Sequence, residues 1–320
     1  MRKVMIALAL AAFGLTGHAQ SDYPQKPLRI IVPYPVGGAA DVISRHIGQV
    51  LTRRTNQPVI VENRGGASGM IGATACKRAP ADGYTFCMLF SDILAINPFI
   101  FKNIAYDAEK DFAPVVHVVN VDGVIVAPAA MPANDLKQLI AYAKANPGKV
   151  NWASIGVGSS PHLLLEKINK SAGVDMKHVP YQGGGPVTTA LMANEVDVTM
   201  SGYGLVAPHI KGGKMKAFAA LGAKRSPLIP DIPTLVEQGV DFTGTLWLGL
   251  FAPAGTSAAQ IDVINKHVNE ILADQAFVQQ NLSPGGYAPT GGSPQALTER
   301  VRKDQQEWGG LAKGLNLALE

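Results

Sequence analysis

The stretch Leu28-Arg29-Ile30-Ile31-Val32-Pro33-Tyr34-Pro35-Val36-Gly37-Gly38-Ala39-Ala40-Asp41 decides the fold. Leu28, Ile30, Ile31 and Val32 form a short apolar run rich in β-branched residues. Two prolines and two glycines then break it. From Ala39 onward Val42, Ile43, Ile47, Val50 and Leu51 recur at helical spacing. The order is strand, Gly-rich turn, helix. A helix opening behind two glycines leaves backbone N–H groups unpaired at the positive end of its dipole, which suits an anion.

The same unit recurs downstream. Val59 to Val61 reads as a second strand, Glu62 to Gly69 as a polar Gly-rich loop, and Met70 to Arg78 as a helix. Pro80, Asp82 and Gly83 make a turn, Tyr84 to Phe90 is a third strand, and Ser91-Asp92 opens a further helix. Three such repeats predict a parallel sheet, with ligands meeting the loops beyond the carboxyl ends of its strands. Val115 to Ala127 is a long β-rich run broken at Asp122-Gly123, read as a crossing to a second domain. Asn134 or Asp135 caps a helix that ends near Asn146-Pro147-Gly148.

Beyond that crossing the design repeats. Asn151 to Ser154 is a strand, and Gly156 to His162 starts a helix. His178 to Tyr181 is a strand, and Gln182 to Pro186 starts a helix. Val196 to Met200 is a strand running into Ser201-Gly202-Tyr203-Gly204. Phe242 to Phe251 reads as the return crossing, and 258–273 and 294–311 as terminal helices. The predicted class is α/β: a two-lobed, type II-like fold of the kind that closes on a ligand, hinged at two crossover segments. Residues 20–122 with 246–320 form lobe 1, and 123–245 form lobe 2.

Bulk properties narrow the functional classes. Arg2 and Lys3 precede an apolar run from Val4 to Leu15, and Gly17-His18-Ala19 is a small-x-small cleavage site. Residues 1–19 therefore read as a removable export signal, with a run too short for a membrane anchor. The formal charge of +4 falls to +2 once Arg2 and Lys3 are removed. Basic residues are scattered, which argues against nucleic-acid binding. The cysteines, Cys76 and Cys87, either form a disulfide in an oxidising compartment or stay as buried thiols.

Catalytic signatures are incomplete. Gly66-Ala67-Ser68-Gly69-Met70 fails as a nucleophile elbow at its fifth position, and Ser154 lacks the first glycine. Gly158-Ser159-Ser160 with His162 sits at a helix start, where serine is a common cap. No Walker or dinucleotide pattern is complete. The seven histidines show no metal-ligand spacing. We therefore assign no catalytic residue, metal or cofactor.

Binding is the better reading. Five Gly- or Ser-rich loops precede helices, and together they would line one cleft with N–H donors and hydroxyls. Lobe 1 is expected to contribute Tyr34, Val36, Gly37, Gly38 and Ala39, then Ala67, Ser68 and Gly69, then Ser91 and Asp92. Lobe 2 is expected to contribute Ser154, Gly156, Gly158, Ser159, Ser160 and His162, then Gln182 and Gly183, then Ser201 and Tyr203. Asp41 supports its own loop. Asp92 is either a cleft residue or a helix cap. Tyr34, Tyr203 and Trp247 pack on a ligand or belong to the hinge core. Helix starts on both walls suit a dicarboxylate.

Several of these segments carry a family resemblance. Val32 to Asp41, Val61 to Gly72, Asp82-Gly83-Tyr84-Thr85, Asn97-Pro98, Asn151-Trp152-Ala153-Ser154, Val179 to Gly183 and Ala252 to Thr256 resemble the signatures of the Bug family. These are extracytoplasmic solute receptors of tripartite tricarboxylate transporters. The resemblance covers essentially the whole mature chain. It implies a periplasmic two-lobed binding protein, a small carboxylate held largely by main-chain groups, hydroxyls and water, and transporter subunits as membrane partners. A monomer is expected. Val36 departs from the family, which often has proline there, as does Leu248, where an aromatic is common. Both positions lie near the expected cleft. An exported carboxylate sensor and, less favoured, an exported hydrolase are the alternatives.

Overall fold

The computed structural model describes residues 23–315. The export signal expected in residues 1–19 lies outside the described residues. The strand–turn–helix that opens the chain is β1 (Leu28–Val32) and α1 (Ala39–Thr55). There follow β2 (Val59–Asn63), α2 (Met70–Lys77), β3 (Thr85–Phe90), the short α3 (Ser91–Ala95) and α4 (Asn97–Ile100), and β4 (Phe112–Val121). The chain then runs through β5 (Gly123–Pro128), α5 (Leu136–Ala145), β6 (Asn151–Ser154), α6 (Ser160–Ala172), β7 (Lys177–Pro180), α7 (Gly184–Met192), β8 (Val198–Gly202), α8 (Tyr203–Lys211) and β9 (Met215–Ala220). It closes with β10 (Leu246–Pro253), α9 (Ala258–Ala273), α10 (Gln275–Asn281), β11 (Tyr287–Pro289) and α11 (Pro294–Leu315).

These strands form two sheets, one of six strands in the order β11-β4-β10-β3-β1-β2 and one of five in the order β7-β6-β8-β5-β9. β1 pairs in parallel with β2 and β3, as the three repeats predict. The rest of that sheet is antiparallel: β10 runs against β3 and β4, and β11 against β4. The expectation of a parallel sheet is thus corrected to a mixed one. The cause is the topology of the crossings. A chain that leaves through β4 and returns through β10 lays both transit strands into the first sheet in opposite directions. β5 likewise runs antiparallel to β8 and β9 in the second sheet, whose β6 is parallel to β7 and β8.

Only Asp122 separates β4 from β5, so the outward crossing is short. Its backbone is pinned on both sides: Asp122 N–H donates to Gly286 O at 3.1 Å, and Tyr203 N–H donates to Asp122 O at 2.7 Å. Leu28, Ile30, Val32, Ile43, Ile47 and Leu51 are buried together, so β1 and α1 pack through the apolar positions that their periods select. Trp152, Trp247 and Trp308 are fully buried. Trp247 is therefore core, its indole N–H bonded to Asp304, and Leu248 is fully buried opposite Phe90 and Val119. Cys76 and Cys87 form a disulfide that ties α2 to β3, with Cα atoms 6.1 Å apart.

Candidate binding site between the two sheets

A cavity of about 270 Å³ lies where residues of both sheets meet. The first sheet and its loops supply Tyr34 to Ala40, Phe90, Val121, Leu246 and Tyr287. The second supplies Ile155, Ser160, Pro161, Gln182 to Pro186, Met200 to Gly202 and Leu205. No Lys, Arg or His is among these lining residues. Its polar groups are backbone N–H groups, hydroxyls and the Gln182 amide.

Three helices open onto this space behind glycine caps, α1, α7 and α8, although at α8 the Tyr203 N–H is taken by Asp122 O. Gly38 caps α1 and Gly183 caps α7, and neither has a side-chain capping bond. Their first-turn N–H groups are thus left for another acceptor. The α1 loop is held from within: Gly37 N–H donates to Asp41 Oδ2 at 2.9 Å, and Arg45 Nε donates to Asp41 Oδ1 at 3.0 Å. Burial alone would raise the Asp41 pKa, but these bonds hold it below the usual carboxylate value. Gly183 adopts φ +102°, and a Cβ there would sit 3.7 Å from the Pro35 ring, so the two loops face each other closely.

Several of the expected residues line the cavity: Tyr34, Val36, Gly37, Gly38 and Ala39 from the first loop, and Ser160, Gln182, Gly183 and Ser201 opposite. Others do not. Ala67, Ser68 and Gly69 lie outside it, as do Ser91, Asp92, Ser154, Gly156, Gly158, Ser159, His162 and Tyr203. The expectation that Leu248 lies near the cleft is corrected too, because its side chain is enclosed in the first sheet's core. Sequence reading missed the apolar wall of Phe90, Val121, Ile155, Met200, Leu205, Leu246 and Tyr287. Phe90, Val121 and Leu246 lie in runs that are apolar almost throughout, a pattern that marks burial without saying which residues meet a cavity.

The residues outside the cavity have other partners, which for Ser68 and Asp92 lie across the lobes. Ala67 and Ser68 take positive φ of 47° and 52°, a strained conformation for non-glycine residues. Ser68 Oγ donates to Val157 O at 3.0 Å, and its own carbonyl accepts from Asn97 Nδ2 at 3.1 Å. Asp92 caps a helix, but not its own. Its Oδ2 accepts from both Ser160 N–H and Ser160 Oγ, each at 2.9 Å, at the start of α6. Burial raises the Asp92 pKa, and the two Ser160 bonds partly offset that. Tyr34 is held neutral chiefly by burial and secondly by the Asp92 charge.

The Ser159 hydroxyl turns back to Gly156 O at 2.6 Å. His162 Nδ1 accepts from Gly158 N–H at 3.0 Å, and its ring stacks on His178 with centroids 3.8 Å apart. Burial and then the neighbouring His178 push the His162 pKa down to about 4. Ser154 Oγ lies 2.6 Å from His178 Nε2. Ser154 has no exposed surface and lies outside the cavity, while its partner His178 is half-buried. Among the described residues no group of three metal-ligating side chains could hold an ion. No described helix is long and apolar enough to cross a membrane.

A cleft between two α/β lobes, walled by glycine-capped helix starts, suits the enclosure of a small ligand. The family profile described as TctC, the tripartite tricarboxylate transporter family receptor, matches residues 43–317. The chain belongs to this family. It is 33% identical over 319 residues to Protein BugT of Bordetella pertussis, covering 99% of this chain and 98% of that one. The fold is similar to that of an R. palustris protein, Rpa4515, solved with adipate: TM-score 0.88, 30% identity, 92% of this chain and 99% of that chain. It is also similar to MatC of Rhodopseudomonas palustris with bound malate: TM-score 0.84, 29% identity, 91% of this chain and 100% of that chain. The TctC receptor is thus a two-lobed periplasmic binding protein in architecture.

Proposed function

We propose that this receptor captures a small organic carboxylate in the periplasm and delivers it to the membrane subunits of a tripartite transporter. One observation carries the reading. The cavity between the sheets has no cationic side chain in its lining, yet α1 and α7 both present uncapped N-termini to it. Backbone N–H groups and dipole ends can hold an anion without a buried Lys or Arg. Relatives solved with adipate and malate support the same ligand class.

In this reading the protein performs no chemical step. Lobe 1 comprises residues 20–122 and 246–320, and lobe 2 comprises 123–245, with residues 1–19 removed on export. The chain acts as a monomer. Closure brings the Tyr34–Ala39 loop against the Gln182–Gly185 loop, excludes water and completes the hydrogen bonds of the carboxylate. A ligand that binds only the folded form raises the melting temperature by mass action. A thermal-shift screen of carboxylates against their methyl esters tests the reading. Acids should stabilise the protein and their esters should not. Equal shifts from acid and ester would reject it.

A further inference from the structure

The strand β2 ends the first sheet and, among the described residues, pairs only with β1. In the parallel register Ile60 lies beside Arg29 and Glu62 beside Ile31, so these four side chains share one face of the sheet. The helix α2 covers that face incompletely. Its Gly72, Ala73 and Cys76 are buried, whereas Ile60 and Ile71 stay 56% and 52% exposed.

A groove of about 600 Å³ opens there. Ile71, Thr74 and Arg78 wall it, spaced three and four residues apart along one side of α2 and its end. Arg29 and Arg64 line it too, and no Asp or Glu does. Glu62 is paired with Arg29 at 3.4 Å and with Arg64 at 2.6 Å. The Arg78 backbone N–H donates to Thr74 O at 3.1 Å, and its guanidinium makes no ion pair or hydrogen bond among the described residues. Three guanidinium charges thus stand against one carboxylate. The loop between Arg64 and Ile71 also touches the other lobe, where Ser68 Oγ donates to Val157 O at 3.0 Å.

We propose that this groove docks an acidic periplasmic segment of the transporter's membrane subunits, with carboxylates on the arginines and apolar side chains on Ile60 and Ile71. The inference rests on the reading that the receptor delivers its ligand to those subunits. The excess of positive charge selects an acidic partner, because guanidinium forks bind carboxylates through paired hydrogen bonds. The recess selects a segment of protein. Arg29 stands on the sheet beside α2, where a chain laid in the groove reaches it and a flat layer of anionic headgroups does not. A partner on this loop sits beside the Ser68–Val157 contact that joins the lobes.

The test is binding of the mature receptor to the membrane subunits of its transporter in nanodiscs, measured by surface plasmon resonance. The natural protein is compared with Arg78→Glu, Ile71→Glu and Lys144→Glu. Lys144 is exposed on α5, in the other lobe, and controls for net charge. Arg78→Glu and Ile71→Glu should each weaken binding by roughly tenfold or more, and Lys144→Glu should not. Melting temperatures report whether the variants fold, and a carboxylate at position 71 suits the first turn of α2. If Arg78→Glu does not fold, Ile71→Glu decides. Natural affinity in either groove variant, or an equal loss in Lys144→Glu, would overturn the inference and leave the delivery reading standing. Equal binding to empty nanodiscs of the same anionic lipid would overturn it in favour of the membrane surface. A natural protein that does not bind the subunits would instead reject the delivery reading, and the inference with it.

Discussion

The starts of α6 and α7 border one cavity from the same lobe, and their hydrogen bonding is opposite. At α6 a serine N–H and hydroxyl are taken by Asp92, proline follows, and the neighbouring histidine rings are stacked and bonded. At α7 the cap is Gly183 with no side-chain bond, followed by Gly184 and Gly185. The α6 start is built from side chains and is satisfied without a ligand. The α7 start is built from glycines and remains open. A serine-rich helix start is thus a poorer marker of a ligand site than a glycine-rich one, because serine supplies donors that the fold itself can use.

The largest effect should come from breaking the filled site. Asp92→Ala leaves the Ser160 N–H and hydroxyl buried without an acceptor. The cost should be about 3 kcal/mol, read as a lowered midpoint in urea unfolding. An unchanged midpoint would mean that the Asp92–Ser160 contact across the lobes contributes nothing to the stable state. The open site is broken differently. Ala39 is the first residue of α1, behind an extended Gly38 at φ −78° and ψ 168°. Proline is tolerated at that position and removes only the N–H. Ala39→Pro should therefore keep the melting temperature and weaken carboxylate binding by roughly ten- to hundredfold, the range for bonds to charged groups. Retained affinity would place the anion elsewhere.

Acid should separate the two starts as well. The His162 pKa lies near 4, below its ordinary value of 6.5. Its contribution to stability is therefore complete above pH 6.5 and is lost as pH falls from 6.5 through 4, since the unfolded chain takes up the proton first. Protonation also removes the acceptor at Nδ1 for Gly158 N–H. The loss should be about 3 kcal/mol, and His162→Gln should flatten the fall in melting temperature over that window. A pH profile that His162→Gln leaves unchanged would contradict this. The smallest effect belongs to Ser159→Ala. It should cost about 1 kcal/mol of stability, typical of a lost local hydrogen bond, and leave ligand affinity unchanged.

Much of the fold was legible because period and punctuation agreed. Leu28 to Val32, Asn151 to Ser154 and Ala258 to Ala273 appear as read. α8 was missed because Gly204 and Pro208 disguise it, and β11 because three residues carry no period. In the site, the Tyr34–Ala39 and Gln182–Gly183 loops reach the cavity, and glycine-rich turns after strands are local signals. The fate of Ser160 was not legible. It depends on Asp92, 68 residues earlier in the chain and in the other lobe. Local pattern gives no sign of that contact, so an occupied helix start and an open one look alike in sequence.

The most direct measurement is a crystal structure of the protein with the carboxylate that gives the largest thermal shift. The account predicts a carboxylate oxygen about 2.7–3.1 Å from an N–H at the start of α1 or α7, at Ala39, Ala40, Gly184 or Gly185, with Asp92 still on Ser160. A carboxylate bound to Ser160 in the place of Asp92 would contradict it.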